Sequence, residues 1–157
     1  MGHARGAAAL RMSKNDGDSL ECTVGVLAIQ LGLLDDAARL FREAERWDKL
    51  NQLYQTAGVW DKAIKIATSH DRIHLKNTHH FYAKHLESIN DIEDAIQHYE
   101  LADTHVTEVP RMLYHLNRIE ELEDYVHNKG DDDVAMLKWW AKYVAWTEYN
   151  NVDMLYV

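Results

Sequence analysis

Proline and cysteine are almost absent from this chain of 157 residues, which has one of each. A single cysteine, Cys22, excludes a disulfide framework and a zinc site built from several cysteines. Scarce proline indicates nearly continuous helix, because proline breaks helix interiors and chains made of many turns and strands use it more often. Pro110 itself is predicted to lie in the first turn of a helix, where its missing N–H costs least.

Basic side chains are also scarce, since 17 lysines and arginines are outnumbered by 26 acids, giving a formal charge of −9. This balance argues against a nucleic-acid partner, which requires a basic stripe along the phosphates. No apolar run approaches the length that spans a membrane, and the first ten residues do not form an export signal. We therefore expect a cytoplasmic protein that neither binds nucleic acid nor inserts directly into a membrane.

Apolar residues recur with the spacing of an amphipathic helix, i, i+3, i+4 and i+7, along most of the chain. No comparable alternation with a period of two is present, so the sequence predicts an all-α fold. The predicted core quartets are Val24/Leu27/Ala28/Leu31, Ala37/Leu40/Phe41/Ala44, Leu50/Leu53/Tyr54/Ala57, Trp60/Ala63/Ile64/Ala67, Ile92/Ala95/Ile96/Tyr99, Val109/Met112/Leu113/Leu116 and Leu137/Trp140/Ala141/Val144.

A second pattern repeats at a longer interval: a Gly or Asn, an apolar residue two positions later, an acid next to it, and a small residue two positions after the acid, which the two weaker copies replace with leucine. Gly and Asn tolerate the left-handed conformation that ends a helix, and the acid suits the first turn of the next helix. The copies are Gly32/Leu34/Asp35/Ala37, Gly58/Trp60/Asp61/Ala63, Asn90/Ile92/Glu93/Ala95, Asn117/Ile119/Glu120/Leu122 and Asn150/Val152/Asp153/Leu155, with spacings of 26, 32, 27 and 33 residues.

A register of this kind predicts an α-solenoid of antiparallel helical hairpins, made of TPR-like repeats whose length varies from about 26 to 33 residues. The alternative is a globular bundle of five unrelated helical pairs. The fifth copy is cut short at Val157. We therefore expect residues 1–157 to form a single segment of a solenoid that belongs to a longer chain.

Trp139, Tyr143 and Trp146 form an aromatic stripe at i, i+4 and i+7, turned about 100° around the helix from the predicted core position of Trp140. A helix that is apolar on two sides is either buried on both sides or meets a partner. We expect this stripe to pack on a following repeat, and contact with a partner protein is the alternative.

The ten histidines do not form a metal-binding motif. His70 and His74 are four residues apart, but Asp71 and Arg72 between them are typical of a turn, and the His-Glu-x-x-His pattern is absent. Cys22 has no catalytic partner at a fixed spacing, and the chain lacks the Gly-rich phosphate loop and the serine-nucleophile turn. The sequence therefore predicts no catalytic residue, no cofactor and no metal.

Several strings of residues are similar to one known family. The most specific are Asp103-Thr104-His105, Glu108-Val109-Pro110-Arg111-Met112-Leu113 and Trp139-Trp140-Ala141-Lys142-Tyr143, and further matching stretches lie at residues 1–7, 54–60, 70–75 and 99–105. Together they resemble the helical-repeat region of the intraflagellar transport protein 140 family, whose members are subunits of intraflagellar transport complex A. The resemblance runs from residue 1 to about residue 146.

The resemblance implies a non-enzymatic scaffold that supports retrograde transport in cilia and cilium assembly. It implies partners among the other subunits of complex A, which are WD40- and TPR-type proteins, and a location in the cytoplasm, the cilium and the ciliary base. The alternative function is a TPR-like adaptor that binds peptides in the cytosol. Grooves of that kind usually carry clustered Lys, Arg and Asn, and the predicted first helices of this chain offer few of them.

Overall fold

A computed structural model describes residues 20–129, 134, 136–142, 144 and 145, with side chains from residue 23 onward. Within these residues every regular element is helical, so the predicted all-α, helical-repeat fold is confirmed. The elements are α1 (Leu20–Gln30), α2 (Leu34–Glu43), α3 (Trp47–Thr56), α4 (Trp60–Ser69), a 3-10 turn (Arg72–His74), α5 (Leu75–Ser88), α6 (Ile92–Leu101), α7 (His105–His115) and α8 (Ile119–Lys129). Residues 136–142 are helical as well.

The chain divides into two compact units, and the division falls within α5, between Tyr82 and Ala83. In the first unit, α1 packs against α2, α2 against α3, and α3 against α4. In the second unit, α6 packs against α7 and α7 against α8. Helices that are consecutive in the chain are therefore neighbours in space, as a hairpin repeat requires.

The turns of the predicted register have the predicted geometry. Gly32, Gly58, Asn90 and Asn117 all have positive φ, at 79°, 74°, 64° and 57°. The following residue donates its N–H to the carbonyl five positions earlier, as Leu33 does to Ala28 at 2.8 Å, which caps the end of the helix. The apolar residue of the register then begins the next helix in all four described copies. The fifth copy, at residues 150–155, lies outside the described residues.

Two further turns have the same geometry without Gly or Asn. Glu45 and Asp103 have φ of 55° and 61°, and the residues after them, Arg46 and Thr104, make the same backward hydrogen bond at 2.9 and 3.0 Å. The sequence pattern missed these turns because acids are not the usual residues at this position. The left-handed residues thus recur every 13 residues at 32, 45 and 58, which explains the 26-residue spacing.

The longer spacing of 32 residues has a separate cause. After α4, the chain enters the 3-10 turn Arg72–His74 and then α5, which has 14 residues where α3 has 10. The extra residues are therefore accommodated at one place, in the connection that follows α4 and in α5 itself.

The core of each unit is built around the last position of the register. Ala37, Ala63, Ala95 and Leu122 are each 0% exposed. A small residue there lets neighbouring helices approach closely, which fits three alanines in four copies. The other fully buried large side chains include Ile29, Phe41 and Leu50 in the first unit and Tyr99, Val109, Met112 and Leu113 in the second.

The predicted core face of α1 is wrong. Val24, Leu27 and Leu31 are 41%, 51% and 76% exposed, whereas Val26 and Ile29 are buried. Apolar residues occur on all sides of this helix, so their periodicity does not select a face. The core quartet predicted near residue 140 is wrong in the same way, because Met136 is buried while Leu137 and Ala141 are exposed.

The predicted position of Pro110 is also wrong. It is the sixth residue of α7, and it is buried. The helix begins earlier than expected because the left-handed turn at Asp103 places Thr104 at the helix start, where its carbonyl accepts the N–H of Glu108 at 3.0 Å. Proline has no N–H, so the carbonyl of Val106 loses its usual partner four residues later.

Candidate protein-interaction surface

Trp139 is the one member of the predicted aromatic stripe that the described residues include; Tyr143 and Trp146 lie outside them. The centroid of the Trp139 ring lies 5.9 Å from that of Tyr114, with the planes tilted by 52°. His115 approaches the same indole edge-on at 6.2 Å. Trp139 therefore packs on the end of α7, which precedes it in the chain, and it remains partly exposed.

A lysine lies against both rings of this aromatic pair. The Nζ of Lys142 is 4.8 Å from the Trp139 centroid and 5.6 Å from the Tyr114 centroid. Both distances are within the range at which a cation is attracted to the negative face of an aromatic ring. The Lys142 side chain is exposed, and it reaches the indole from three residues along the same helical stretch.

Trp140, which the sequence places in the core, is partly buried. Its ring meets His127 of α8 in an edge-to-face arrangement at 5.8 Å. The two adjacent tryptophans thus contact different helices of the second unit, as expected for neighbours about 100° apart on a helix.

The first unit has a polar pocket of about 270 Å³ between α3 and α5. At its base, Asn51 is buried and donates from Nδ2 to Asp71 Oδ2 at 3.2 Å and to Thr78 Oγ1 at 2.9 Å. Gln55 donates to Asn51 Oδ1 at 3.0 Å. The pocket is lined by Asp48, Asn51, Gln52, Gln55, Asp71, His74, Asn77 and Phe81.

His70 and His74, the two histidines four residues apart in the sequence, have separate partners. His74 Nδ1 lies 2.6 Å from Asp71 Oδ1. His70 instead stacks on Trp47, with ring centroids 3.9 Å apart. Among the described residues, no group of three or more His, Cys, Asp or Glu side chains is placed to hold a metal ion.

In the second unit, Arg111 joins two carboxylates. It donates to both oxygens of Glu87 at 3.1 and 2.7 Å, and its Nε donates to Glu108 at 2.9 Å. Tyr99 also donates to Glu87, at 2.7 Å. The cluster connects α5, α6 and α7 and lines an open pocket with Lys84 and Ser88.

These contacts shift the pKa of Glu87 and Tyr99 in opposite directions. Burial would raise the pKa of Glu87, but the hydrogen bonds from Arg111 and Tyr99 outweigh it and hold this pKa below its ordinary value. Burial, followed by the hydrogen bond to Glu87, raises the pKa of the Tyr99 hydroxyl. Glu87 is therefore a carboxylate and Tyr99 a neutral phenol at neutral pH.

A second tyrosine–glutamate pair lies between α6 and α8. Tyr125 donates to Glu100 at 3.0 Å, and Lys129 pairs with the same carboxylate oxygen. Burial and then the hydrogen bond to Glu100 raise the pKa of Tyr125. In both clusters the charged groups join neighbouring helices.

No helix in the described part of the chain is both long and apolar enough to cross a membrane. A family model described as the TPR domain of intraflagellar transport proteins 140 and 172 matches residues 1–156.

Proposed function

Because this chain belongs to the TPR-domain family of intraflagellar transport proteins 140 and 172, we propose that it is a segment of a complex A subunit that scaffolds retrograde intraciliary transport and cilium assembly. The family match confirms the resemblance seen in the sequence. The family itself supports the general role, that of a helical-repeat scaffold associated with intraflagellar transport.

The family description covers two proteins, intraflagellar transport proteins 140 and 172. The strings Asp103-Thr104-His105 and Glu108-Val109-Pro110-Arg111-Met112-Leu113 favour the first of them, because they resemble the intraflagellar transport protein 140 family. We accordingly propose other subunits of complex A as partners and the cytoplasm, cilium and ciliary base as the location.

We propose that the chain acts by binding and not by catalysis. Polar side chains that line the two pockets are engaged in hydrogen bonds with neighbouring side chains. Arg111 binds Glu87, and Asn51 binds Asp71 and Thr78. The family is a non-enzymatic scaffold type, which agrees with this role. The stripe of Trp139, Tyr143 and Trp146 remains our proposal for a surface that contacts a following repeat or a partner protein.

The alternative function, a cytosolic adaptor that captures a peptide terminus, has weaker support. The pocket between α3 and α5 offers amides, but its described lining residues include Asp48 and Asp71 and neither lysine nor arginine. A chain-terminal carboxylate would be repelled by these acids, since recognition of a carboxylate depends on Arg, Lys or backbone N–H donors.

Affinity purification of the tagged 157-residue chain from ciliated cells tests the proposal. We expect complex A subunits to be enriched well above intraflagellar transport protein 172. A matched control is Ala63→Arg, which places a charge at a fully buried position and removes the fold. Enrichment of intraflagellar transport protein 172 in place of complex A, or recovery equal to that of the Ala63→Arg variant, would contradict the complex A assignment.

A further inference from the structure

We propose that Tyr114 and Trp139 form a binding site for a cationic side chain, Lys or Arg, of a partner protein, and that Lys142 fills this site in the free chain. The identity of the partner rests on the proposed function, whereas the cation site itself does not. The site is the aromatic pair at the end of α7 described above.

The geometry of the pair suits a cation. The two rings are tilted by 52° with centroids 5.9 Å apart, so a single group can lie near both of them in the wedge between their planes. A single ammonium group, that of Lys142, lies 5.6 Å from one centroid and 4.8 Å from the other. Two ring faces acting on one cation attract it more strongly than one ring does, and tryptophan is the most effective residue for this contact.

Lys142 is suited to be a displaceable occupant. It is exposed, and its long side chain reaches the indole from the same helical stretch, so it can leave for solvent without moving the backbone. Among the described residues, its Nζ contacts the two rings and no carboxylate. Departure of Lys142 would therefore break two cation–π contacts and no ion pair within the described part of the chain.

Charge favours a basic partner. The chain has a formal charge of −9, and a protein of this sign attracts basic surfaces in diffusional encounter. An incoming Lys or Arg would replace Lys142 in the wedge, and Lys142 would return to water. Arg is the better competitor because its planar guanidinium also stacks on aromatic faces and is more weakly hydrated.

Nuclear magnetic resonance of the purified chain tests the site with tetramethylammonium chloride as the probe. The reporter is the Trp139 indole N–H resonance, identified by its loss in Trp139→Leu. In Lys142→Met, which removes the competing ammonium group and keeps a side chain of similar length, we expect a saturable shift with a half-saturation concentration at least about threefold lower than in the wild type. Lys138→Met, which removes an exposed lysine one turn earlier, should titrate as the wild type does.

Neutral tert-butanol distinguishes charge from shape. It should not give a saturable shift, and the indoles of Trp47 and Trp60 in the first unit should not respond to either probe. Equal half-saturation in Lys142→Met and wild type, or an equal response to tert-butanol, would overturn the proposal.

A second measurement covers the case in which Lys142→Met does not fold. In the wild type, the Lys142 ε-methylene protons should show an upfield ring-current shift that Tyr114→Leu reduces. An unshifted ε-methylene resonance would overturn the assignment of Lys142 to the wedge.

The role in partner binding is tested separately by the affinity purification. Trp139→Leu should lower the recovery of complex A subunits several-fold, and Lys142→Met should raise it. Unchanged recovery in both variants would overturn the partner half of the proposal. Because the probe titration contains no partner protein, its failure would leave the complex A assignment standing, and the reverse also holds.

Discussion

The ring of Phe41 occupies the space that Gly25 leaves empty. A Cβ atom added at Gly25 would lie 2.8 Å from Phe41 Cε1 and 3.2 Å from Cδ1. Phe41 is 0% exposed and belongs to the core of the first unit. The absence of a side chain at Gly25 thus permits the close approach of α1 and α2.

Gly25→Ala should destabilise the chain by about 1–2 kcal/mol, measured by urea unfolding, because the overlap with a buried ring costs more than the roughly 1 kcal/mol that alanine gains in a helix. Phe41→Leu in the same chain should remove most of the penalty of Gly25→Ala. Gln30→Ala, at an exposed position of the same helix, should change the free energy of unfolding by about 0.5 kcal/mol or less. A stabilised Gly25→Ala variant would show that the ring shifts at little cost.

Glu45→Gly should stabilise the chain by about 1 kcal/mol, because Glu45 has a φ of 55° and glycine adopts this conformation without steric cost. Urea unfolding measures the change. Lys65→Gly, at an exposed position inside α4, should have the opposite sign and lose about 1 kcal/mol. If both glycines destabilise equally, the left-handed turn at Glu45 is not strained.

Asn51→Leu should destabilise the chain by about 2 kcal/mol, since the leucine leaves Asp71 and Thr78 without the amide that joins them. The loss should appear in urea unfolding and as faster hydrogen exchange in α5. Gln52→Ala lies one residue away but is exposed, so it should change stability by about 0.5 kcal/mol or less. Equal effects of the two substitutions would argue against a structural role for the buried amide.

The free energy of unfolding should fall in acid through Glu87. Its folded pKa lies below the ordinary value of 4.5, so its stabilisation is complete above pH 4.5 and is lost as the pH falls through the folded pKa. In urea unfolding at a series of pH values, Glu87→Gln should therefore lose less stability than the wild type as the pH falls below the ordinary value of 4.5. In Glu87→Gln the acid-dependent loss of unfolding free energy should be smaller than in the wild type but not zero, because Glu100 also has a lowered pKa.

The control for the acid experiment is Glu123→Gln, which changes an exposed acid of α8. Its pH profile should run parallel to that of the wild type. A Glu87→Gln profile that is parallel to the wild type as well would mean that the Arg111 cluster does not contribute to the acid sensitivity.

Much of the fold could be predicted from local pattern. Gly32, Gly58, Asn90 and Asn117 end helices in the conformation that these residue types tolerate, and the next helix begins two positions later each time. The equivalent turn at Glu45 could not be predicted, because a glutamate there carries no local signal. Its conformation follows from the helices that pack on either side of it.

The candidate surface was only partly visible in the sequence. Trp139 stood out by its spacing, but its contact with Tyr114 joins residues that are far apart in the chain. The buried amide of Asn51 likewise meets partners 20 and 27 residues away. No pattern within one helix can indicate such pairs.

Local pattern was sufficient to predict that this protein is a helical repeat, where the turns of the repeating pattern lie, and that the small residues of that pattern reach the core. These features depend on the conformational preference of single residues and on the period of the helix. Three features became clear only from the packed helices: which face of α1 is buried, that Pro110 lies inside α7, and that Lys142 meets Tyr114 and Trp139. Those outcomes depend on the fit between side chains of different helices, and that fit exists only once the helices have packed.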